Sequence, residues 1–244
     1  MKNKVIVVGG FGLIGRAIVE KLKSQKLEPV VVDIKSDETL SEDPSFSWDV
    51  TNRESEQSLL DHFLPQASEI TGWMKALYPR TPRYGTYSFL DDDDDDGIEH
   101  LAVHASAFYR ACRVAVCVLK KSNGGSLVNF GSIYGPLGPD QRIYEGTRIH
   151  NPACYAMAKE SIIGLTRYIA TSFAKDNIRC NALCPGGVFD NHTEPFKSRY
   201  EQRVPMGRMA TKEDVASSAA FLVSNESSYV TGQVLMVDGG LSAW

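Results

Sequence analysis

The chain has 244 residues, of which 43% are hydrophobic, and this supplies enough apolar surface for one well-packed domain. Its formal net charge of −4 gives no electrostatic reason to bind nucleic acid or a membrane surface. Because no run of about 18 apolar residues occurs, no membrane-spanning helix is expected.

Apolar runs typical of strands alternate with segments of helical periodicity along the whole chain. Strands are predicted at 4–10, 29–34, 46–50, 69–77, 125–132, 178–187 and 233–240. Helices are predicted at 14–25, 54–63, 98–121, 151–175 and 212–225. Continuous apolar strands between helices predict a parallel sheet covered by helices on both faces. No linker or repeat interrupts this order, so 1–244 is predicted to be one doubly wound, Rossmann-like α/β domain.

A glycine-rich segment follows the first predicted strand and opens the first predicted helix. Gly9, Gly12 and Gly15 have the spacing G-x-x-G-x-x-G, which differs from the usual G-x-G-x-x-G of dinucleotide-binding proteins. Glycine permits a tight turn and a close backbone approach, so the helix N-terminus can hold a pyrophosphate. The segment therefore predicts a dinucleotide site.

Acidic residues end the next two predicted strands. Asp33 can accept hydrogen bonds from ribose hydroxyls and would repel a 2′-phosphate, which favours NAD over NADP. Lys35 is close enough in the chain to weaken that preference, and NADP stays possible. Asp49, in "WDV", can hydrogen-bond an adenine amino group, or it can act as the N-cap of the following helix.

A tyrosine and a lysine stand four residues apart in "CYAMAKE" (154–160). In a helix, Tyr155 and Lys159 share one face. An ammonium beside a phenol favours the phenolate, so it is expected to lower a phenol pKa that is normally about 10. The pair predicts a proton donor for work near neutral pH. The alternative is a half-buried tyrosine beside a solvated lysine.

Cysteines and aspartates give no sign of a metal site. The five cysteines form no CxxC or Cys/His pattern, so they are expected to be reduced thiols in a cytoplasmic protein. The six aspartates at 91–96 lack the spacing of a calcium loop and predict a solvated loop or helix N-terminus.

Six segments together resemble the short-chain dehydrogenase/reductase family over nearly the whole chain: "GGFGLIG", "WDV", "VNFGSIYG", "YAMAK", "IRCNALCPGG" and "YVTGQVLMVDGG". The resemblance implies a single domain with a seven-stranded parallel sheet, assembled as a homodimer or homotetramer. It also implies hydride transfer between a nicotinamide cofactor and a carbonyl or alcohol carbon of a small-molecule substrate.

The resemblance assigns roles position by position. Ser132, in "FGSIYG", would hydrogen-bond the substrate oxygen. Tyr155 would be the general acid in reduction and the base in oxidation. Lys159 would bind the nicotinamide ribose and lower the pKa of Tyr155. The residues assigned to the cofactor are Gly9, Gly12, Leu13, Ile14, Gly15, Asp33, Asp49, Val50, Tyr155, Lys159, Pro185, Gly186 and Val188.

Two positions depart from the family pattern. Lys75 stands where an asparagine is expected after the fourth strand. His104 stands at the fourth catalytic position, where the family has an asparagine that supports a water chain to the lysine. A histidine there can preserve a proton relay, or it can be a core residue without a catalytic role.

Three segments are candidates for the substrate-binding walls: 136–152, 189–200 and 78–85. The last of these carries Arg80 and Arg83, which suit an anionic or hydroxylated ligand. An "AYPR"-like segment together with "IYEGT" resembles the branch of the family associated with bacterial surface-sugar biosynthesis. A sugar or sugar-nucleotide substrate is therefore expected.

Two other functions stay open at this point. A 3-oxoacyl thioester reductase would require NADPH, and Asp33 argues against that cofactor. A dinucleotide-binding sensor or oligomer partner with little or no catalysis is suggested by Lys75 and His104.

Overall fold

The computed structural model describes most of the chain. Some predicted features lie outside the part described: Lys35, residues 91–94 of the aspartate run, and positions 85 and 148–150 of the predicted wall segments. The described residues are 3–34, 44–84, 89–90, 95–147 and 151–244.

Seven parallel strands form one sheet within the described residues. They are Lys4–Val8 (β1), Glu28–Asp33 (β2), Ser45–Ser47 (β3), Ile70–Lys75 (β4), Gly125–Phe130 (β5), Ile178–Pro185 (β6) and Val234–Val237 (β7). Their order in the sheet is β3-β2-β1-β4-β5-β6-β7. The predicted doubly wound, Rossmann-like fold is confirmed.

Six α-helices occur in the described ranges. They are Leu13–Ser24 (α1), Glu56–Phe63 (α2), Asp95–Lys121 (α3), Ala153–Ser172 (α4), Phe196–Glu201 (α5) and Lys212–Val223 (α6). Helices α1 and α6 cover one face of the sheet, and α2, α3 and α4 cover the other. Helix α5 lies inside a segment that the sequence predicted only as a substrate-binding wall.

Each central strand is buried on both faces, which explains the continuous apolar runs. Ile6 and Val8 belong to the core layer under α2, α3 and α4. Val5 and Val7 alternate with them and belong to the layer under α1 and α6. Because side chains alternate across a strand, both sets must be apolar.

Helix α3 begins inside the aspartate run. Asp96 is buried, and its carboxylate lies 2.8 Å from the Arg83 guanidinium. Of the two predicted alternatives, the structure shows a helix N-terminus at Asp95 and Asp96, and the Asp96 side chain is buried. Within the part described, Asp96–Lys121 is the one helix long and apolar enough to cross a membrane, by length and composition only, and it packs against the sheet and α4.

The order of the strands reverses direction between β1 and β4, which leaves a crevice at their carboxyl ends. Gly9, which follows β1, has φ +79°, and a Cβ there would lie 2.5 Å from the Ala76 carbonyl oxygen after β4. Only glycine tolerates both that backbone conformation and that approach. The glycine turn is thereby held at the point where ligands bind in this class of fold.

Lys75, the last residue of β4, is fully buried. Its Nζ contacts the Cys112 thiol and lies 4.8 Å from the centroid of the Phe108 ring. No carboxylate among the described residues pairs with it. Burial of an ammonium without an acidic partner costs free energy of folding.

Replacing Lys75 with methionine is expected to raise the free energy of unfolding by about 1–3 kcal/mol, because an apolar side chain removes that cost. Urea denaturation at pH 7 measures the change. Lys121→Met, at an exposed position of α3, is the control and should change little. A less stable Lys75→Met protein would show that the contact with Cys112 stabilises the fold.

Candidate active site

A cavity of about 460 Å³ opens at the carboxyl ends of β4, β5 and β6. The predicted catalytic residues Ser132, Tyr155 and Lys159 all line it. Five further residues assigned to the cofactor lie in the same wall, namely Leu13, Ile14, Pro185, Gly186 and Val188. The cavity therefore joins the start of α1 to the Tyr-Lys pair.

The glycine turn lies beside the cavity and is packed tightly. A Cβ on Gly15 would lie 2.1 Å from the Gly9 carbonyl oxygen, and the Gly12 N–H donates to that oxygen at 3.2 Å. The Asp33 carboxylate accepts a hydrogen bond from the Phe11 N–H of the turn at 3.0 Å. An acid held against a backbone cradle of this kind fits the ribose end of a dinucleotide.

Asp49 and Val50 lie outside the cavity, in the loop after β3, which ends earlier than predicted. The Asp49 carboxylate accepts hydrogen bonds from the Thr51 N–H at 2.9 Å and from its hydroxyl at 2.7 Å. The N-cap of the following 3-10 helix is Asn52, not Asp49. Val50 is buried.

Tyr155 lies in the first turn of α4, where its side chain is half-buried in the cavity wall. Burial raises the pKa of Tyr155 to about 12, and a hydrogen bond with Ser132 opposes part of that rise. The Lys159 Nζ lies 5.6 Å from the centroid of the Tyr155 ring and donates to the Phe130 carbonyl oxygen at 3.2 Å. The pKa therefore moves opposite to the predicted lowering, because desolvation outweighs the Ser132 hydrogen bond and the positive charge of Arg80, which both lower it.

Lys159 is itself buried, with little of its surface exposed. Burial lowers the pKa of Lys159 to about 8, and the nearby Cys184 acts in the opposite direction. Lys159 is therefore mostly in its charged, ammonium form at pH 7. The cost of desolvating this charge lowers the free energy of unfolding.

Tyr78 belongs to the predicted wall segment 78–85, but the sequence analysis did not single it out as a neighbour of the catalytic residues. Its ring centroid lies 5.2 Å from that of Tyr155 and 4.7 Å from that of His104, and the Lys159 Nζ lies 4.9 Å from it. Its hydroxyl lies 2.8 Å from His100 Nε2. Its position could have indicated this role, because it lies three residues after the end of β4, and the residues that follow parallel strands line the crevice.

His104 lies behind Tyr78 and outside the cavity lining. Its ring is fully buried and stacks on Phe108, with 5.3 Å between the centroids. Burial lowers the pKa of His104 to about 3, so the ring is neutral at pH 7. Neither ring nitrogen has a hydrogen-bond partner among the described residues.

All three predicted wall segments contribute to the outer part of the cavity. They contribute polar and aromatic side chains, namely Tyr78, Arg80, Tyr84, Tyr144, Asn151, Asp190, His192, Phe196 and Tyr200. Arg83 is not among them, because it pairs with Asp96.

The described residues contain no group of three or more His, Cys, Asp or Glu side chains placed to hold a metal ion. The five cysteines are free thiols, and all but Cys117 are buried.

A protein-family model described as enoyl-(acyl carrier protein) reductase matches residues 12–242. The chain belongs to the short-chain dehydrogenase/reductase family. This short-chain dehydrogenase/reductase is an oxidoreductase that uses a nicotinamide dinucleotide, so the predicted family, activity class and cofactor class are confirmed.

Known relatives share the full length of this short-chain dehydrogenase/reductase. Post-translational flagellin modification protein A of Campylobacter coli is 30% identical over 252 residues, which cover 98% of each chain. A short chain dehydrogenase from Leptospira borgpetersenii with bound NAD+ is 30% identical, with a TM-score of 0.85 over 99% of this chain and 93% of that one. The aldohexose dehydrogenase of Thermoplasma acidophilum is 26% identical, with a TM-score of 0.83 over 100% of this chain and 95% of that one.

Replacing Lys159 with methionine is expected to stabilise the protein at pH 7 by a few kcal/mol, because it removes a desolvated ammonium. The folded pKa of about 8 lies below the unfolded value of 10.5. Between these values only the unfolded lysine keeps its proton, so the wild-type free energy of unfolding rises with pH relative to the variant.

Urea denaturation at pH 7 and pH 10 measures the free energies of unfolding of the wild type and of the Lys159→Met variant. The stability gap between them should shrink at pH 10. An equal gap at both pH values would contradict the assignment of a desolvated, titrating Lys159.

Proposed function

We propose that this chain transfers a hydride between NAD(H) and the carbonyl or secondary alcohol carbon of a polar, hydroxylated substrate, with a sugar as the expected class. One observation carries the proposal: Ser132, Tyr155 and Lys159 line a single cavity with the start of α1 and the segment after β6. When bound, the nicotinamide supplies or accepts the hydride.

The chain's own groups handle the proton and the substrate oxygen. Because burial raises the pKa of Tyr155, its phenol is protonated at pH 7 and donates that proton to the substrate oxygen during reduction. Ser132 hydrogen-bonds the same oxygen and positions it. The Lys159 ammonium holds the nicotinamide ribose and stabilises negative charge as it develops on the phenol oxygen.

His104 is assigned the proton-relay position that an asparagine occupies in the family. Its two ring nitrogens are buried without partners among the described residues, and the neutral ring can both donate and accept a hydrogen bond. A water between this ring and Lys159 would pass a proton from solvent to Lys159, which would return to Tyr155 the proton that each reduction removes.

In this proposal the cofactor would bind in the crevice where the strand order reverses between β1 and β4. Gly9, Gly12 and Gly15 shape the pyrophosphate cradle with Leu13 and Ile14. Asp33 would hold the adenosine ribose, Asp49 and Val50 the adenine, and Pro185, Gly186 and Val188 the nicotinamide. Because cofactor and substrate walls belong to one sheet, 1–244 is proposed as a single domain, which acts as a cytoplasmic homodimer or homotetramer.

A sugar substrate is supported by the polar and hydroxyl-rich walls of the cavity. Two relatives have names consistent with it, an aldohexose dehydrogenase and a flagellin modification protein. A second candidate, reduction of the 3-oxo group of an acyl thioester, is favoured by a relative named as a 3-oxoacyl-[acyl-carrier-protein] reductase. A panel of sugars, polyols and acyl thioesters separates the two.

Replacing Tyr155 with phenylalanine is expected to lower kcat by about 100-fold or more, because it removes the proton donor. NADH binding, followed by fluorescence titration, should be retained within a few fold. If the wild-type protein binds NADH but turns over no member of the panel, the sensor hypothesis replaces the enzymatic one.

Wild-type protein is expected to bind NADH about 10-fold more tightly than NADPH, and Asp33→Asn should largely remove the difference, because the carboxylate repels a 2′-phosphate. Fluorescence titration with both cofactors measures the ratio. Asp61→Asn, at an exposed position of α2, is the control and should leave the ratio unchanged. Tighter binding of NADPH by the wild type would contradict the role of Asp33.

A further inference from the structure

Arg80 places a positive charge in the cavity that the proposed hydride transfer does not use. Its side chain is exposed and lines the cavity beyond Tyr78. No carboxylate among the described residues pairs with its guanidinium, which contacts aromatic faces instead. Its Cζ lies 5.8 Å from the centroid of Tyr78 and 5.6 Å from that of Tyr84.

Other arginines near the cavity have partners. Arg83 lies 2.8 Å from the Asp96 carboxylate. Arg142 lies 2.8 Å from the Asp140 carboxylate, and Arg203 pairs with the same carboxylate. Arg80 differs from them because its guanidinium contacts the aromatic rings of Tyr78 and Tyr84 and no carboxylate in the described residues. The N–H groups at the edge of the guanidinium can therefore donate hydrogen bonds to a ligand.

The charges around the cavity add up in favour of an anion. Lys159 and Arg80 contribute positive charge, and Asp190 is the carboxylate residue in the described lining. No ion pair joins Asp190 to Arg80 in the described part of the chain, and the Asp190 N–H donates to His192 Nδ1 at 3.1 Å. Because Lys159 is assigned to the cofactor ribose, Arg80 is the cation available to the substrate.

The position of Arg80 suits a small substrate. The Tyr78 ring, which contacts the Arg80 guanidinium, lies 5.2 Å between centroids from the Tyr155 ring. A single aromatic ring therefore separates the guanidinium from the proposed proton donor. An anionic group bound by Arg80 would lie only a few bonds from the carbon that reacts at Tyr155.

Asn151 supplies a second, independent sign of a polar ligand. Its Oδ1 is buried without a hydrogen-bond partner in the described structure, although the residue lines the cavity. Its Nδ2 donates to the Tyr144 hydroxyl at 3.4 Å, and that hydroxyl donates to the Tyr134 hydroxyl at 3.0 Å. A buried acceptor of this kind is costly unless a donor such as a substrate hydroxyl reaches it.

We propose that the substrate is a hydroxylated molecule with an anionic group, a carboxylate or a phosphate, that binds to the Arg80 guanidinium. Asn151 Oδ1 accepts a hydrogen bond from one of its hydroxyls. This inference rests on the proposed function, and it adds the charge of the substrate and the residue that recognises it. The planar guanidinium matches carboxylate and phosphate oxygens through paired hydrogen bonds.

The test compares matched substrates that differ in charge: a neutral aldohexose, the corresponding hexuronate and the corresponding hexose phosphate. The wild type should show a kcat/KM about 10-fold or more higher for one anionic member than for the neutral sugar. Arg80→Gln should lower that ratio to about 1, mainly through KM, because the charge-assisted hydrogen bonds are lost. The carboxylate and phosphate arms show which group the site takes.

Arg80→Lys keeps the charge but loses the paired geometry, so it should restore only part of the ratio. Arg83→Gln, three residues away, is the matched control and should leave the ratio unchanged. The proposal is overturned if the wild type prefers the neutral sugar, or if Arg80→Gln lowers kcat/KM equally for all three substrates. Those outcomes leave the proposed hydride transfer intact.

If no turnover can be detected, ligand binding is measured instead through the change in Tm. The Tyr155→Phe protein with NADH should show a higher Tm with the preferred anionic ligand, and Arg80→Gln in that background should remove the shift. Absence of any shift with both anionic ligands overturns the proposal. NADH titration of the same proteins reports separately on the cofactor site, so failure of the proposed function is recognised on its own.

Discussion

The approach of the glycine turn to the backbone after β4 is the constraint on which the rest of the site depends. Gly9 sits where any Cβ would collide with the Ala76 carbonyl oxygen, so the turn and the end of β4 are held together. That contact places the start of α1 against the crevice where the strand order reverses between β1 and β4. Tyr155 and Lys159 reach the same crevice from α4, which is why one cavity joins the cofactor cradle to the proposed proton donor.

Desolvation, more than pairing of charges, governs the chemistry of this cavity. Burial raises the pKa of Tyr155, lowers that of Lys159 and keeps His104 neutral at pH 7. Each shift favours the uncharged form, as expected for groups removed from water. The arrangement costs stability and keeps the phenol protonated, which suits proton donation during carbonyl reduction.

The departures from the family pattern form one connected group. Lys75 ends β4 and contacts Cys112 and Phe108, and Phe108 stacks on His104. His104 in turn contacts Tyr78, whose ring lies against Tyr155. Changes at the two usual asparagine positions are thus accompanied by an aromatic cluster that packs the space between the sheet, α3 and the cavity.

The sequence by itself determined the fold class and the approximate strands, because hydrophobic periodicity acts over a few residues, and its resemblance to a known family pointed to Ser132, Tyr155 and Lys159 as candidates. Only the tertiary structure decided that burial raises the pKa of Tyr155, that Arg83 pairs with Asp96 while Arg80 faces the cavity, and that the Tyr78 ring lies against Tyr155. Those outcomes depend on which distant segments meet at the sheet edge, and desolvation and ion pairing follow from that meeting. No local pattern in the chain encodes them.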